Sequence, residues 1–246
     1  MKKPTSDRFW EVDFLRGIAI IMMVIYHVLF DVTFLRIYYI DLSSIPVLLF
    51  LHPIGTMFLL LVGVSLTLSY ARVKETLTPR QRRKKFILRG LYIFGGGILA
   101  TLGTWLYLKE GYIVFGVLHC IGVSIILAYP LIRYRVYPLV LGIICVIVGI
   151  FLQRMVVVDF PWLLWLGFIP NYFYTVDYFP LLPWFGVILV GIFIGNSLYQ
   201  NNKRRFEIKD LSGFLVVRGV CFLGRHSLLI YLIHQPIIVA LLTLLP

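Results

Sequence analysis

The sequence predicts an all-α, polytopic membrane protein of about seven transmembrane helices, with its N-terminus on the cytoplasmic side. Three observations predict it. Of 246 residues, 60% are hydrophobic and only 14% charged, against about 45–50% apolar and about 25% charged in soluble domains. Mean hydropathy is +0.93, and apolar runs long enough to cross a bilayer recur from end to end. The basic residues gather in alternate links between those runs. The net charge of +12 therefore does not indicate nucleic acid, because no basic face of a soluble fold carries it.

A crossing helix needs roughly 20 mostly apolar residues. Runs of that kind occupy 12–35, 46–70, 86–108, 112–132, 136–153, 180–199 and 215–245. The last run is expected to begin with a short interfacial turn and to cross from about 223. The first lacks a small-residue cleavage site and reads as a retained helix rather than a signal peptide. Residues 154–179 are rich in Trp, Tyr and Phe and are interrupted by Pro161 and Pro170. Such a stretch fits an interfacial cap or re-entrant segment between the fifth and sixth crossings. No internal repeat or low-complexity tract divides the chain, which reads as one domain over 1–246.

Orientation follows from Lys and Arg. One set of links holds Lys2, Lys3 and Arg8, the Arg72–Arg89 region, Arg133 and Arg135, and Lys203–Lys209 with Arg218; together these are 18 of the 23 basic residues. The opposite set holds Arg36, Lys109 and Arg154. The positive-inside rule puts the first set in the cytoplasm, as in a multi-pass protein of the cell membrane.

Two basic residues, Arg16 and Arg225, fall at or within crossings. Ionisable groups there cost about 2.5–3.5 kcal/mol on insertion scales and are functional hypotheses by default. In the first run Arg16 is followed by His27 and Asp31. Eleven residues at about 100° each bring Arg16 and His27 onto one helix face, roughly 16 Å apart along the axis. Asp31 lies one turn beyond His27, where a carboxylate can orient an imidazole and leave its other nitrogen as a base. Arg16 suits an anion such as a phosphate. The alternative assigns Arg16 and Asp13 to the interface and His27 to a helix contact. In the last run Ser227, Tyr231 and His234 form a polar stripe at helical spacing, which must face protein or a cavity. His226 near its cytoplasmic end fits snorkelling or capping. His52 and His119 are further histidines in the outer parts of the second and fourth runs. Gly95–Gly97, Gly103, Gly191 and Gly195 read as sites of close helix approach that permit a homodimer. Cys120, Cys145 and Cys221 read as buried small hydrophobes, with neither a disulfide framework nor a metal site.

Arg16 with His27 after ten residues resembles the Arg/Lys-x10-His signature of membrane acyltransferases that modify cell-surface sugars. The rest is similar to the catalytic-domain family of heparan-α-glucosaminide N-acetyltransferase. The likeness runs through Val12-Asp13-Phe-Leu-Arg16-Gly17, Phe58–Gly63, Arg89, Gly116-Val-Leu-His119-Cys-Ile-Gly122, Asp177-Tyr-Phe-Pro180-Leu-Leu-Pro183-Trp184, and Gly224-x-x-Ser227 with Tyr231 and His234. The resemblance implies an acetyl- or acyl-CoA co-substrate from the cytosol and a glycan or lipid-linked acceptor at the outer face. The lysosomal enzyme has its catalytic histidine in the first luminal loop and asparagine where this chain has His27. The loop from Arg36 to Ile45 has no histidine, so that role is not carried over; by the acyltransferase signature His27 is the better candidate, with His52 behind it.

The resulting expectation is a transmembrane acyltransferase. His27 and Asp31 are its catalytic pair; Arg16, Arg89, Arg225 and His234 bind acyl-CoA; His52, His119, Asp177 and Trp184 bind the acceptor. No metal is expected. The basic Arg80–Lys85 cluster is a topology signal that also matches an anionic ligand or membrane lipid headgroup. A proton-coupled or small-solute transporter could use the same polar stripes, although no repeats support it. A scaffold subunit would make His27 and Arg16 dispensable.

Overall fold

A computed structural model describes residues 8–42, 44–108, 110–200 and 203–244. Lys2, Lys3 and Lys109, counted above for orientation, and the side chain of His52 lie outside the described residues. The chain is largely helical: α1 (Trp10–Phe34), α2 (Ile45–Val73), α3 (Pro79–Leu108), α4 (Val117–Ala128), α5 (Val136–Met155), α6 (Leu181–Leu198), α7 (Leu215–Arg225) and α8 (Ser227–Thr243). Five of these, α1, α2, α3, α5 and α6, are long and apolar enough to cross a bilayer. The bent pair α7–α8 makes six if it counts as one span. The chain is a multi-pass membrane protein.

Two expected crossings differ from the sequence reading. The fourth was placed at 112–132, but the helix begins only at Val117 and with its final 3₁₀ turn ends at Leu131. Residues 111–116 are irregular rather than helical, because they bond to the segment before α6. Val176 N–H donates to Gly111 O, Phe179 N–H to Phe115 O, and Thr175 Oγ1 to Tyr112 O. The last run, expected over 215–245 with a short turn before a crossing from about 223, does break near that point, but the part before the break is a helix of its own, and the two helices are bent by 83° at His226.

The chain forms two compact units, residues 1–61 with 207–246, and residues 62–206. The first is built on α1, against which α7 and α8 both pack. α1 and α7 touch backbone to backbone. A methyl group on Gly17 would collide with Val220 O, and one on Gly224 with Asp13 O. That approach holds α7 flat on the start of α1. The chain then turns at His226, and Ile20, Met23 and Ile54 form an apolar core with Ile230 and Tyr231 around them.

In the second unit α3 packs on α4 and α5 on α6. Gly90 and Gly122 face each other across the α3–α4 contact, and a Cβ on Gly97 would lie 2.9 Å from the His119 ring. Gly195 meets Thr67 as expected of a close approach, but Gly95 and Gly103 have nothing within 4 Å of where a Cβ would be. Those two glycines face outward, because the 3.6-residue period puts them off the side that meets α4.

The aromatic segment between α5 and α6 is not a crossing. It folds as turns with two-residue strand pairs, Val157–Val158 beside Ile169–Pro170, and exposes Trp162, Tyr172 and Tyr174. This is the segment for which the sequence suggests an interfacial or re-entrant cap. Tyr178 anchors it: its hydroxyl donates to Leu164 O at 2.8 Å, and its ring meets Phe173 edge-on. Burial disfavours the phenolate and pushes the phenol above its usual range. The sign follows: a fold that prefers the neutral phenol keeps this contribution below about pH 10 and loses it progressively as pH rises further. Between pH 8 and pH 11 the thermal midpoint in detergent should fall further for the native chain than for Tyr178→Phe. Equal falls would show that Tyr178 ionisation is not what loosens the segment.

Candidate functional site

Unpartnered buried polar atoms in a membrane protein point to where function lies, since hydrocarbon offers no water to satisfy them. In the first unit one of them, Trp10 Nε1, lies at the start of α1, and the other three lie where α1 meets α8. His27 Nδ1, His234 Nε2 and Gln235 Oε1 are all buried without a hydrogen-bond partner among the described residues. The His27 and His234 rings meet edge to face, with centroids 4.7 Å apart. His234 Nδ1 lies 2.7 Å from Tyr231 O. A carbonyl only accepts, so Nδ1 carries the proton and Nε2 presents a lone pair.

The carboxylate of Asp31 goes elsewhere than expected. It is 2% exposed, and both its oxygens accept from the Gln235 amide, at 2.8 and 2.9 Å. It makes no hydrogen bond to His27, so the orienting pair anticipated from the sequence is replaced by an Asp31–Gln235 pair across two helices. The spacing placed Asp31 on the right face. It could not show that a donor on α8 outcompetes an imidazole one turn away. Because the amide NH₂ is spent on Asp31, Gln235 Oε1 is left as an acceptor. Sequence reasoning missed Gln235. An amide at 235 extends the Ser227–Tyr231 stripe by one more turn, a signal that attention to titratable groups passed over.

Arg16 lies eleven residues before His27 on the same helix. Its guanidinium pairs with Asp13 Oδ1 at 3.1 Å and reaches Gly224 O at 3.4 Å. Gly224 lies in the last turn of α7, where carbonyls lack helical partners and attract cations. Arg16 thus caps the bend, and Arg225 beside it is exposed. Arg16 contacts the bend and His27 contacts α8, so both look the same way from α1.

In the second unit His119 and Asp177 come together at the start of α4. Gly116 N–H donates to His119 Nδ1 at 3.3 Å, and Val117 N–H to Asp177 Oδ2 at 3.2 Å. Both side chains satisfy amides that open the helix. His119 is sandwiched by Phe94 and Phe115, and Trp184 packs on Phe179. Arg89 is half-buried on α3 and already partnered.

The model of the heparan-α-glucosaminide N-acetyltransferase catalytic family matches residues 8–236, which contain all of the side chains described above. The chain belongs to that family. No curated protein and no solved structure matches it. Family membership and the apolar helices support a membrane-embedded acetyltransferase-type catalytic domain that uses coenzyme A in general terms.

The Asp31–Gln235 pair joins α1 to α8 and can be tested by a mutant cycle. Gln235→Leu leaves a buried carboxylate without its donor and should cost about 1–3 kcal/mol in unfolding experiments. Asp31→Leu combined with Gln235→Leu should recover part of that loss. Additive losses would mean that the two residues do not act as a pair.

Proposed function

We propose that the protein is an integral-membrane acyltransferase of the cell membrane that moves an acetyl or other acyl group from cytosolic acyl-CoA to a sugar-type or lipid-linked acceptor at the outer face. The observation that carries the proposal is the His27–His234 pair, with two unpartnered nitrogens buried within a family acetyltransferase domain. In this reading the chain crosses seven times, α4 being the short crossing, with its N-terminus inside. The distribution of Lys and Arg supports that direction.

The proposed chemistry uses the first unit alone. Arg225, exposed at the bend, attracts the phosphates of acyl-CoA. Arg16 holds the bend that presents it and adds positive charge. The pantetheine arm covers the roughly 16 Å between Arg16 and His27. His27 takes a proton from the acceptor hydroxyl or amine as its oxygen or nitrogen attacks the thioester carbonyl carbon. The C–S bond then breaks, and the proton returns from His27 to the departing thiolate, giving CoA thiol and the acylated acceptor. His234 offers its Nε2 lone pair to the imidazolium that forms in between. Asp31 positions these groups through Gln235 rather than by touching His27. Because His119 and Asp177 are occupied at the start of α4, the acceptor role expected of them is not part of the proposal.

In nanodiscs with acetyl-CoA and a panel of amino sugars and polyols, acceptor-dependent thiol release should appear. His27→Ala should lower kcat/KM about 10²–10⁴-fold, the range for loss of a general base. Arg225→Gln should raise KM for acetyl-CoA with little change in kcat. Solute flux in liposomes, with no thiol release from any acyl donor, would favour a transporter and overturn the proposal.

A further inference from the structure

Among the described residues of the second unit, one face of α3 has no helix packed on it. Its opposite face, with Phe86, Gly90 and Gly97, is buried against α4. The open face runs Lys84, Leu88, Leu91, Gly95, Ile98 and Leu102, in steps of three and four along one line of the helix. Its leucines and Ile98 are about half exposed. At its head lies a shallow cavity of about 260 Å³ lined by Arg80, Arg83, Lys84, Ile87 and Leu88.

The three cations of that cavity make no hydrogen bond or ion pair among the described residues. Their neighbour Arg82 differs, being tied to Lys74 O and lying over the Tyr70 ring. Three uncompensated cations, converging above two aliphatic side chains, match a ligand with a phosphate at one end and hydrocarbon at the other. Gly95 supplies the second half of the match. Glycine costs helix stability relative to alanine. At Gly90 and Gly97 close neighbours explain it, whereas at Gly95 no neighbour lies within 4 Å. A side chain missing from the middle of an open apolar face leaves a notch. It lies eleven residues below Lys84, roughly 16 Å along the axis, which is close to the depth of one leaflet's hydrocarbon, about half of 30 Å.

We infer that the outer face of α3 binds one anionic glycerophospholipid of the surrounding bilayer, its phosphate held by Arg80, Arg83 and Lys84 and an acyl chain lying over Leu88 and Leu91 into the notch at Gly95. Charge complementarity selects an anionic headgroup over a zwitterionic one. The site shares no residue with the proposed acyl-transfer chemistry and depends only on membrane embedding.

Native mass spectrometry of the full chain, titrated with phosphatidylglycerol or phosphatidylcholine, tests it. One phosphatidylglycerol should be retained in preference to phosphatidylcholine. Removing each cation should weaken it about fivefold, so the Arg80→Gln/Arg83→Gln/Lys84→Gln variant should lose about a hundredfold. Arg80→Lys/Arg83→Lys should keep the lipid, which separates binding from folding. Gly95→Leu should shorten retention by filling the notch. The charge-matched Lys203→Gln/Arg205→Gln/Lys209→Gln variant should bind normally. Equal weakening by both triple variants would reveal diffuse charge attraction and overturn the site. Displacement of the lipid by inorganic phosphate or coenzyme A at matching concentrations would assign the cavity to a soluble anion instead. Unchanged retention in Gly95→Leu would remove the acyl-chain seat, and a dimer that buries this face would replace the lipid with a second copy.

Discussion

Hydrocarbon cannot hydrogen-bond, and that one constraint organises the first unit. α1 carries an arginine, a histidine and an aspartate through a stretch where each must find its partner within the protein. Arg16 finds Asp13 and the carbonyl of Gly224. Asp31 finds the amide of Gln235. His27 finds the rings of Tyr26 and His234, and its Nδ1 is left without a hydrogen bond among the described residues. Arg16 and the Asp31 carboxyl group are provided for, whereas the two histidines and Gln235 Oε1 keep unpartnered polar atoms, and there the structure departs from its own rule.

The same constraint explains the bend. An interrupted helix exposes carbonyls that hydrocarbon would penalise. Here the break at His226 is served by Arg16 on Gly224 O and by reciprocal glycine contacts that bring α7 onto α1. A side chain at Gly17 or Gly224 would push the helices apart and carry the arginine away from the carbonyl it serves. Packing and electrostatics at the bend are therefore one interaction rather than two.

The helical class and the membrane-length runs were legible from apolar run length alone, because that signal is local. The crossings that came out differently depend on distant pairing. Residues 111–116 look helical by composition, yet they are drawn out by Val176, Thr175 and Phe179 some sixty residues later. Within the candidate site, the shared face of Arg16, His27 and Asp31 could be read from helical period. Which carboxylate met which donor could not, since it depends on how α8 lies against α1. Gln235 was readable as a costly amide in an apolar run, but neutral side chains attract less notice than charged ones. Gly95 and Gly103 were read as packing glycines because spacing alone does not say which side of a helix is covered.

The bridge from Asp31 to Gln235 acts as a counting device. Move α8 by one helical turn either way and Tyr231 or Leu232, or Ile238 or Val239, would stand before the carboxylate, since residues three and four apart share a helix face. None of these offers an amide that can serve both oxygens, so a shift by a turn would strand a buried carboxyl group. The register of α8 against α1, and with it the meeting of the two histidines, is held by that one pairing, and no loop has to deliver it.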